Sequence, residues 1–409
     1  MSQHTPSPPS QPSGAPGRRV LVPAGTLAAA GLAVFFLGAA GADPGRAWQA
    51  FLINFLLWSS IAQGAVLFSA VTRITRARWS GPLDGLSGAF AGFFPLSFLL
   101  FLALAFGGPH VFPWMHADLH GKESWLNVPF VLARNGVGLL ILYGIGFMFL
   151  RQALRLRLAP AAGGTGVRRL LAGGAPADAA EAERIQARMT RWAGLYCFAF
   201  ALVLSLAGFD LVMAMDPHWY STLFGAYHFV KAFYLGLGAL IILAALLALR
   251  RGGAPGLESR HFHDIGKLFF AFCLLWADFF YVQLTVIWYG NIPEETHYVI
   301  LRTVLPPWRP LAWTVFSMVF IIPFIVLINK RIKTVPAAIL TLCSLVIVGL
   351  WLELLLLVGP PLNHGAAELP LGLSDAILFL GFLGLMVMAV SAMLRTFPEL
   401  LPPAQPVRS

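Results

Sequence analysis

Runs of about twenty mostly apolar residues recur along the chain, separated by short clusters of Gly, Pro and charged residues. Ten such runs predict helices over residues 20–40, 47–72, 84–107, 128–150, 191–215, 224–249, 265–289, 310–329, 335–358 and 373–395. A helix rises 1.5 Å per residue, so each run covers roughly 30 Å, the thickness of a bilayer's hydrocarbon core. The fold class that follows is an all-α, polytopic integral membrane protein, with a ten-helix membrane domain over 20–396. Residues 1–19, rich in Pro and Ser, predict a disordered tail. The 152–190 connection, with GGTG and GGAPAD, predicts a soluble loop ending in a short amphipathic helix near Glu181–Arg191. A shorter polar link covers 250–264, and 397–409 forms a C-terminal tail.

Composition agrees with the pattern. Of 409 residues, 58% are hydrophobic and 11% charged, against about 25% charged in soluble domains. The net charge of +10 does not point to nucleic acid, because the basic residues lie in short loops between spans. An anionic lipid surface accounts for them. With the N-terminus inside, all but six of the 28 lysines and arginines fall on cytoplasmic segments or helix ends, including Arg73, Arg76, Arg78, Arg250, Arg251, Lys330, Arg331 and Lys333. Only Arg46, Lys122, Arg134, Lys231, Arg302 and Arg309 remain for the outer half. That bias predicts an N-in, C-in protein of a cytoplasmic (inner) membrane, with an even helix count. Arg18-Arg19, an apolar run and GAAGA also have the layout of a cleaved signal peptide; the reading adopted is a retained helix. Cys197, Cys273 and Cys343 each stand alone in a predicted span, with no C-x-x-C pair. They read as small apolar fillers, not as iron–sulfur or zinc ligands.

Three motifs share the outer face in this topology: WLNVPF (Trp125–Phe130), DPHWYSTLFG (Asp216–Gly225) and WYGNIPEE (Trp288–Glu295). Taken alone, Trp219, Tyr220, Trp288 and Tyr289 are an aromatic belt. The turn around Asp216, Pro217, His218 and Ser221 is short enough to force the fifth and sixth spans to be adjacent and antiparallel. Pro293 is expected to stop the seventh helix, and Glu294 and Glu295 need water or a partner. The stretch therefore reads as an exposed docking or proton-exit loop, against the blander reading of an ordinary acidic interface loop.

Charges inside spans are functional hypotheses by default. Asp210 and Lys231 lie one to two turns below the same outer loop, so their depths match and an ion pair between them is expected. It serves as a structural staple or as a proton-handling pair. Lys267, Asp278, Tyr281 and Thr285 share one face of the seventh span at spacings of 11, 3 and 4. They resemble a proton half-channel; the alternative is a buried acid bonded to a neighbouring helix. Glu353, within WLELLLL, has no partner nearby in sequence and is expected to face the bundle or a water pocket. Arg134 is close enough to the outer end to snorkel, and Pro129 fits a first-turn position. In HFHDIGK, Asp264 is expected to cap the seventh helix. His261 and His263 at i, i+2 cannot share a face to bind a metal. His228 alone is a poor basis for a haem b.

Three stretches together are specific: FDLVMAMDPHWYSTLFGAY (Phe209–Tyr227), HDIGKLFFAF (His263–Phe272) and IWYGNIPEET (Ile287–Thr296). They resemble the hallmark stretches of polysulfide-reductase-type (NrfD-like) membrane subunits. Within these they resemble the smaller, quinone-binding-type subunit of alternative complex III, a bacterial quinol:cytochrome c oxidoreductase of the respiratory chain. The resemblance runs in order from the second span to WLELL in the ninth. It implies two four-helix bundles plus two peripheral helices and no cofactor bound by this chain alone. Quinone or quinol would be the small molecule, and haem c and iron–sulfur clusters would sit in partner subunits. The implied partners are a larger sister NrfD-like membrane subunit, haem c subunits and an iron–sulfur subunit. Asp210, Asp216, His218, Trp219, Tyr220, Asp264, Lys267, Asn291, Pro293, Glu294, Glu295 and Glu353 stand at matching positions. Leu211, Ala214 and Gly290 depart from the family's frequent Trp, Ser and Ala, and Lys231 and Asp278 lie outside the hallmark. The expected outer-side quinol or docking residues are Asp216, His218, Trp219, Tyr220, Asn291, Glu294 and Glu295. The expected proton-pathway residues are Asp210, Lys231, Lys267, Asp278, Tyr281, Thr285 and Glu353. Two rival classes are a stand-alone secondary transporter, against which the fifth and seventh spans show no central Pro, and a purely structural anchor of a redox complex.

Overall fold

The computed structural model describes residues 17–402 except 117, 120, 159–165, 167, 169–172, 251–255, 364 and 366. The expected tail up to residue 16, the end of the C-terminal tail, residues 159–165, 167 and 169–172 of the 152–190 loop and residues 251–255 of the 250–264 link fall outside the described residues. Among the described residues ten helices are long and apolar enough to cross a membrane. They are α1 (Arg18–Ala39), α2 (Pro44–Ile74), a third span built from α3 (Gly81–Ala89) and α4 (Phe94–Ala103), α5 (Val128–Arg157), α6 (Ala179–Leu211), α7 (Phe224–Leu249), α8 (Ser259–Gly290), an eighth span from α10 (Trp308–Phe316) and α11 (Ile322–Ile328), α13 (Pro336–Leu362) and α14 (Leu373–Thr396). Two short helices, α9 (Pro293–Thr303) and α12 (Lys330–Thr334), lie between spans.

Helix ends follow local chemistry. Asp43 accepts from Arg46 N, Asn127 from Phe130 N and Asp178 from Glu181 N, so each caps a helix N-terminus. Three expectations change. The amphipathic segment near Glu181–Arg191 is not a separate helix but the opening turns of α6, continuous with the fifth span. Asp264 does not cap α8; Glu258 does, its backbone N–H donating to His261 Nδ1 at 3.0 Å. Pro293 does not end order after the seventh span. Asn291 turns the chain in the left-handed region (φ 46°), and Pro293 then opens α9 with Glu294 and Glu295 in its first turn. Proline's fixed φ and missing N–H suit a first turn, and the acids complement the helix dipole there.

The third and fourth spans, α2 and α6 form one bundle; α7, α8, α13 and the eighth span form the other. α1 and α14 pair with each other along the outside. The apolar stretch of α2 is wholly buried, which makes it the axis of the first bundle. The bundles join where α2 crosses α7. There a Cβ on Gly64 would sit 2.1 Å from the Ala232 carbonyl oxygen, and one on Gly236 would sit 2.1 Å from the Gly64 carbonyl carbon. Lipid offers no hydrophobic drive for helix association, so close backbone approach through small residues carries such contacts. Gly64→Val must push backbone against backbone. It is expected to lower stability by at least about 1–3 kcal/mol, the usual range for overpacking, read as a lower unfolding temperature and a smaller membrane yield.

The eighth span is broken by a π turn over Ser317–Ile321. Pro323 has no N–H for the carbonyl four residues back, so the Val319 oxygen is released. Tyr234 OH (3.3 Å) and Cys273 Sγ (3.6 Å) donate to it. A freed carbonyl at membrane depth needs such partners.

Candidate functional site

Tyr227 and Lys231 are four residues apart on α7 and so share a face. That face meets α13, where Glu353 projects from WLELL. Tyr227 OH donates to Glu353 Oε1. Lys231 Nζ lies 3.5 Å from Glu353 Oε2, a charge contact that is not a direct hydrogen bond. Lys231 and Glu353 are each only 2% exposed. By helical rise they lie about 10 and 14 Å inside their helices, counted from the end that carries the 216–223 turn and the α8–α9 corner, here the motif end. A lone charge at mid-bilayer costs roughly 2.5–3.5 kcal/mol, which is why the two are found together. The expected Asp210–Lys231 pair is therefore absent, and Glu353, without a partner in local sequence, has two.

This carboxylate faces a narrow cleft of about 90 Å3, partly open to its surroundings. Trp276 and Phe280 of α8 and Val315 and Phe316 of α10 wall it with apolar and aromatic surface. Glu353, Tyr227, Gln283, Tyr298, Arg302 and Thr303 are its polar residues. α9 covers the motif end. Trp219, 3% exposed, stacks on the Tyr298 ring (3.7 Å between centroids, 8° between planes). The Arg302 guanidinium lies 3.5 Å over the same ring. Two such groups cannot share one face, so Tyr298 is held between them. Arg302 also donates to the Tyr298 (3.1 Å) and Leu357 (3.2 Å) carbonyls and stands 3.7 Å from Asp216 Oδ2. Burial pushes the Tyr298 phenol above its ordinary range and holds the Arg302 guanidinium below its own. The buried Trp219 thus leaves the aromatic belt, while Tyr220, Trp288 and Tyr289 remain strongly exposed.

Asp210 is fully buried near the end of α6 and is held from α5. Arg134 Nε and Nη2 donate to its two oxygens at 2.7 and 2.6 Å, and Asn135 Nδ2 donates to Oδ2 at 2.6 Å. The remaining Arg134 amine donates to the Trp125 carbonyl at 2.8 Å, and the guanidinium lies 3.9 Å over the Trp125 ring. Arg134 is therefore not a snorkelling cation; it is the fork that neutralises Asp210.

The seventh span does not form an internal proton line. Lys267, Asp278 and Tyr281 are exposed, and Thr285 is half-buried, its hydroxyl donating to the Tyr281 carbonyl at 2.8 Å. Lys267 pairs with Asp264 at 2.6 Å. Asp278 is ten residues below the exposed Trp288, about 15 Å by helical rise, and points away from both bundles. At the motif end His218, Asn291 and Glu294 are exposed and Glu295 is half-buried. Lys122 Nζ donates to the Pro217 carbonyl at 2.6 Å and fixes the turn that carries His218.

The first bundle holds polar groups that sequence reasoning passed over. Asp84 accepts from Thr72 (2.9 Å) and Ser80 (3.1 Å), beside the Ser69–Ser87 contact of 2.6 Å. Deeper, the Tyr143 hydroxyl meets Ser97 (2.7 Å) and accepts from Gln63 (3.0 Å), and Ser97 meets Ser59 at 2.5 Å. Six residues of α2 separate Ser69 from Gln63, about 9 Å of rise. Single Ser, Thr and Gln residues in apolar runs were the available signal. Tyr298 and Arg302, at i, i+4 in YVILR, were a stronger one.

Among curated proteins none matches the chain significantly. The sequence profile of the polysulphide reductase NrfD family matches residues 39–362, from the end of α1 to the end of α13. The chain therefore belongs to the NrfD family of multi-pass membrane subunits, whose members are typically parts of redox complexes.

Proposed function

We propose that this chain is the smaller NrfD-type subunit of an alternative-complex-III-like quinol:cytochrome c oxidoreductase in a bacterial cytoplasmic membrane, with both termini inside and the motif end outside. The observation that carries this reading is the aromatic cleft with Glu353 and Tyr227 in its wall and Lys231 beside the carboxylate. A quinol is a flat ring bearing two hydroxyls on an apolar tail. Its oxidation releases two protons and two electrons. The cleft offers aromatic walls for the ring and a carboxylate to accept a hydroxyl proton. The electrons leave to haem c and iron–sulfur groups in partner subunits, which dock on the outer surface around His218, Tyr220, Asn291, Glu294 and Glu295. Asp216, linked to the cleft through Arg302, carries the proton on toward water. The Asp84, Ser69–Ser87 and Gln63–Tyr143–Ser97 stations and Asp210 are the candidate route for proton translocation in the first bundle, replacing the seventh-span line. A sister membrane subunit of the same fold completes the membrane part.

The test is detergent extraction and purification. The expected product carries haem c and iron–sulfur proteins and oxidises quinol, and a photoreactive quinone labels residues around 276–287. A colourless, monodisperse chain active in solute uptake would replace this reading with a transporter. Ala312 lines the cleft on α10, so Ala312→Phe fills it. The expected result is a quinol KM raised about tenfold, equal to a loss of about 1.4 kcal/mol of binding, with the complex still assembled.

A further inference from the structure

Of the ten spans, α8 is the least buried, with 17% of its apolar stretch inside the molecule. Its outward face is not purely apolar. Asp278 and Tyr281 lie exposed on it, with Thr285 one turn further along. Among the described residues no cation or donor approaches Asp278, and it sits at mid-membrane depth. An ionisable side chain at that depth is almost always turned toward protein or a water-filled cavity, because acyl chains cannot solvate it. On the neighbouring span Ile325 and Ile328 of α11 are also exposed.

We propose that the Asp278 face of α8 seats a transmembrane helix of a different polypeptide, one that brings a lysine or arginine to mid-membrane depth. A second copy of this chain does not fit. Two copies in one membrane orientation pair about an axis along the membrane normal, and an isologous contact then sets identical residues at equal depth. Asp278 would face Asp278. Nor, among the described residues, is there an exposed cation to offer at that level: Lys231 is buried against Glu353 and Arg134 against Asp210. The inference rests on the reading of the chain as a subunit of a membrane complex and adds which face meets a neighbour and what charge the neighbour carries.

The experiment places a photo-cross-linking amino acid at Tyr281 in the intact complex, with Leu140 on α5, 53% exposed, as the control position. The expected Tyr281 adduct is a transmembrane peptide of a stoichiometric partner with Lys or Arg within one turn of the cross-linked residue. Asp278→Leu should lower recovery of that partner at least tenfold, and Asp278→Glu should keep it. On a lipid-facing surface the outcome inverts: Asp278→Leu is harmless or raises yield, and Tyr281 gives lipid adducts only. That result, or an adduct with this same chain, overturns the inference while redox subunits still co-purify. A wild-type chain that purifies alone overturns the complex reading and this inference with it.

Discussion

Glu353→Gln in the assembled complex should lower quinol oxidation by about 10²–10⁴-fold, the usual contribution of a positioned proton acceptor. Glu353 is the one carboxylate among the residues lining the cleft. Gln keeps the shape and still accepts from Tyr227 OH, but it cannot take up a proton. The loss should therefore appear in kcat, with quinol KM and haem content close to wild type, while thermal stability falls because Lys231 loses its counter-charge. Lys231→Met tests whether the pair acts as a unit. Lys231 is the cation 3.5 Å from the carboxylate, so its removal should also slow turnover. Groups that act together are not additive, and the double variant should be no slower than Glu353→Gln alone. Turnover of Glu353→Gln within twofold of wild type would move proton acceptance to another side chain and leave Glu353 as a packing group.

The spans were legible because a bilayer demands about twenty apolar residues at a time and punishes polar backbone between them. The site was less legible, and the reasons differ by residue. Depth can be counted along a helix, and that count set Asp210 and Lys231 at similar levels. Direction around the helix cannot be counted in that way: Asp210 looks from α6 toward Arg134, and Lys231 looks from α7 toward Glu353. In a soluble protein the apolar stripe says which way is in. In a membrane both lipid and core are apolar, so the 278–281–285 face carried no sign, and it faces outward. Pro293 posed a different ambiguity, since proline both ends helices and begins them; the left-handed Asn291 just before it decides for a beginning.

Arg134→Met should destabilise the folded chain by about 3–5 kcal/mol, the range for removing one partner of a buried pair. The Asp210 side chain is 1% exposed and that of Arg134 9%, so solvent screens neither. With Arg134 gone, Asp210 keeps only the Asn135 amide, and the Trp125 carbonyl and ring lose their cation. Arg134→Lys should recover part of the loss at most, because an ammonium cannot bond both carboxylate oxygens as the planar fork does. Arg134→Met with Asp210→Leu removes both charges and should regain most of the stability; unfolding in detergent or lipid reads all three. A single variant within about 1 kcal/mol of wild type would put the pair in the class of exposed ion pairs. The consequence should reach the cleft's cover. Asp210 lies six residues before Asp216 and nine before Trp219, which packs on Tyr298. Releasing α6 from α5 loosens that turn, so amide exchange over 212–223 should rise in Arg134→Met and return toward wild type in the double variant. Faster exchange confined to α5 would show that the pair fastens two helices without bearing on the site.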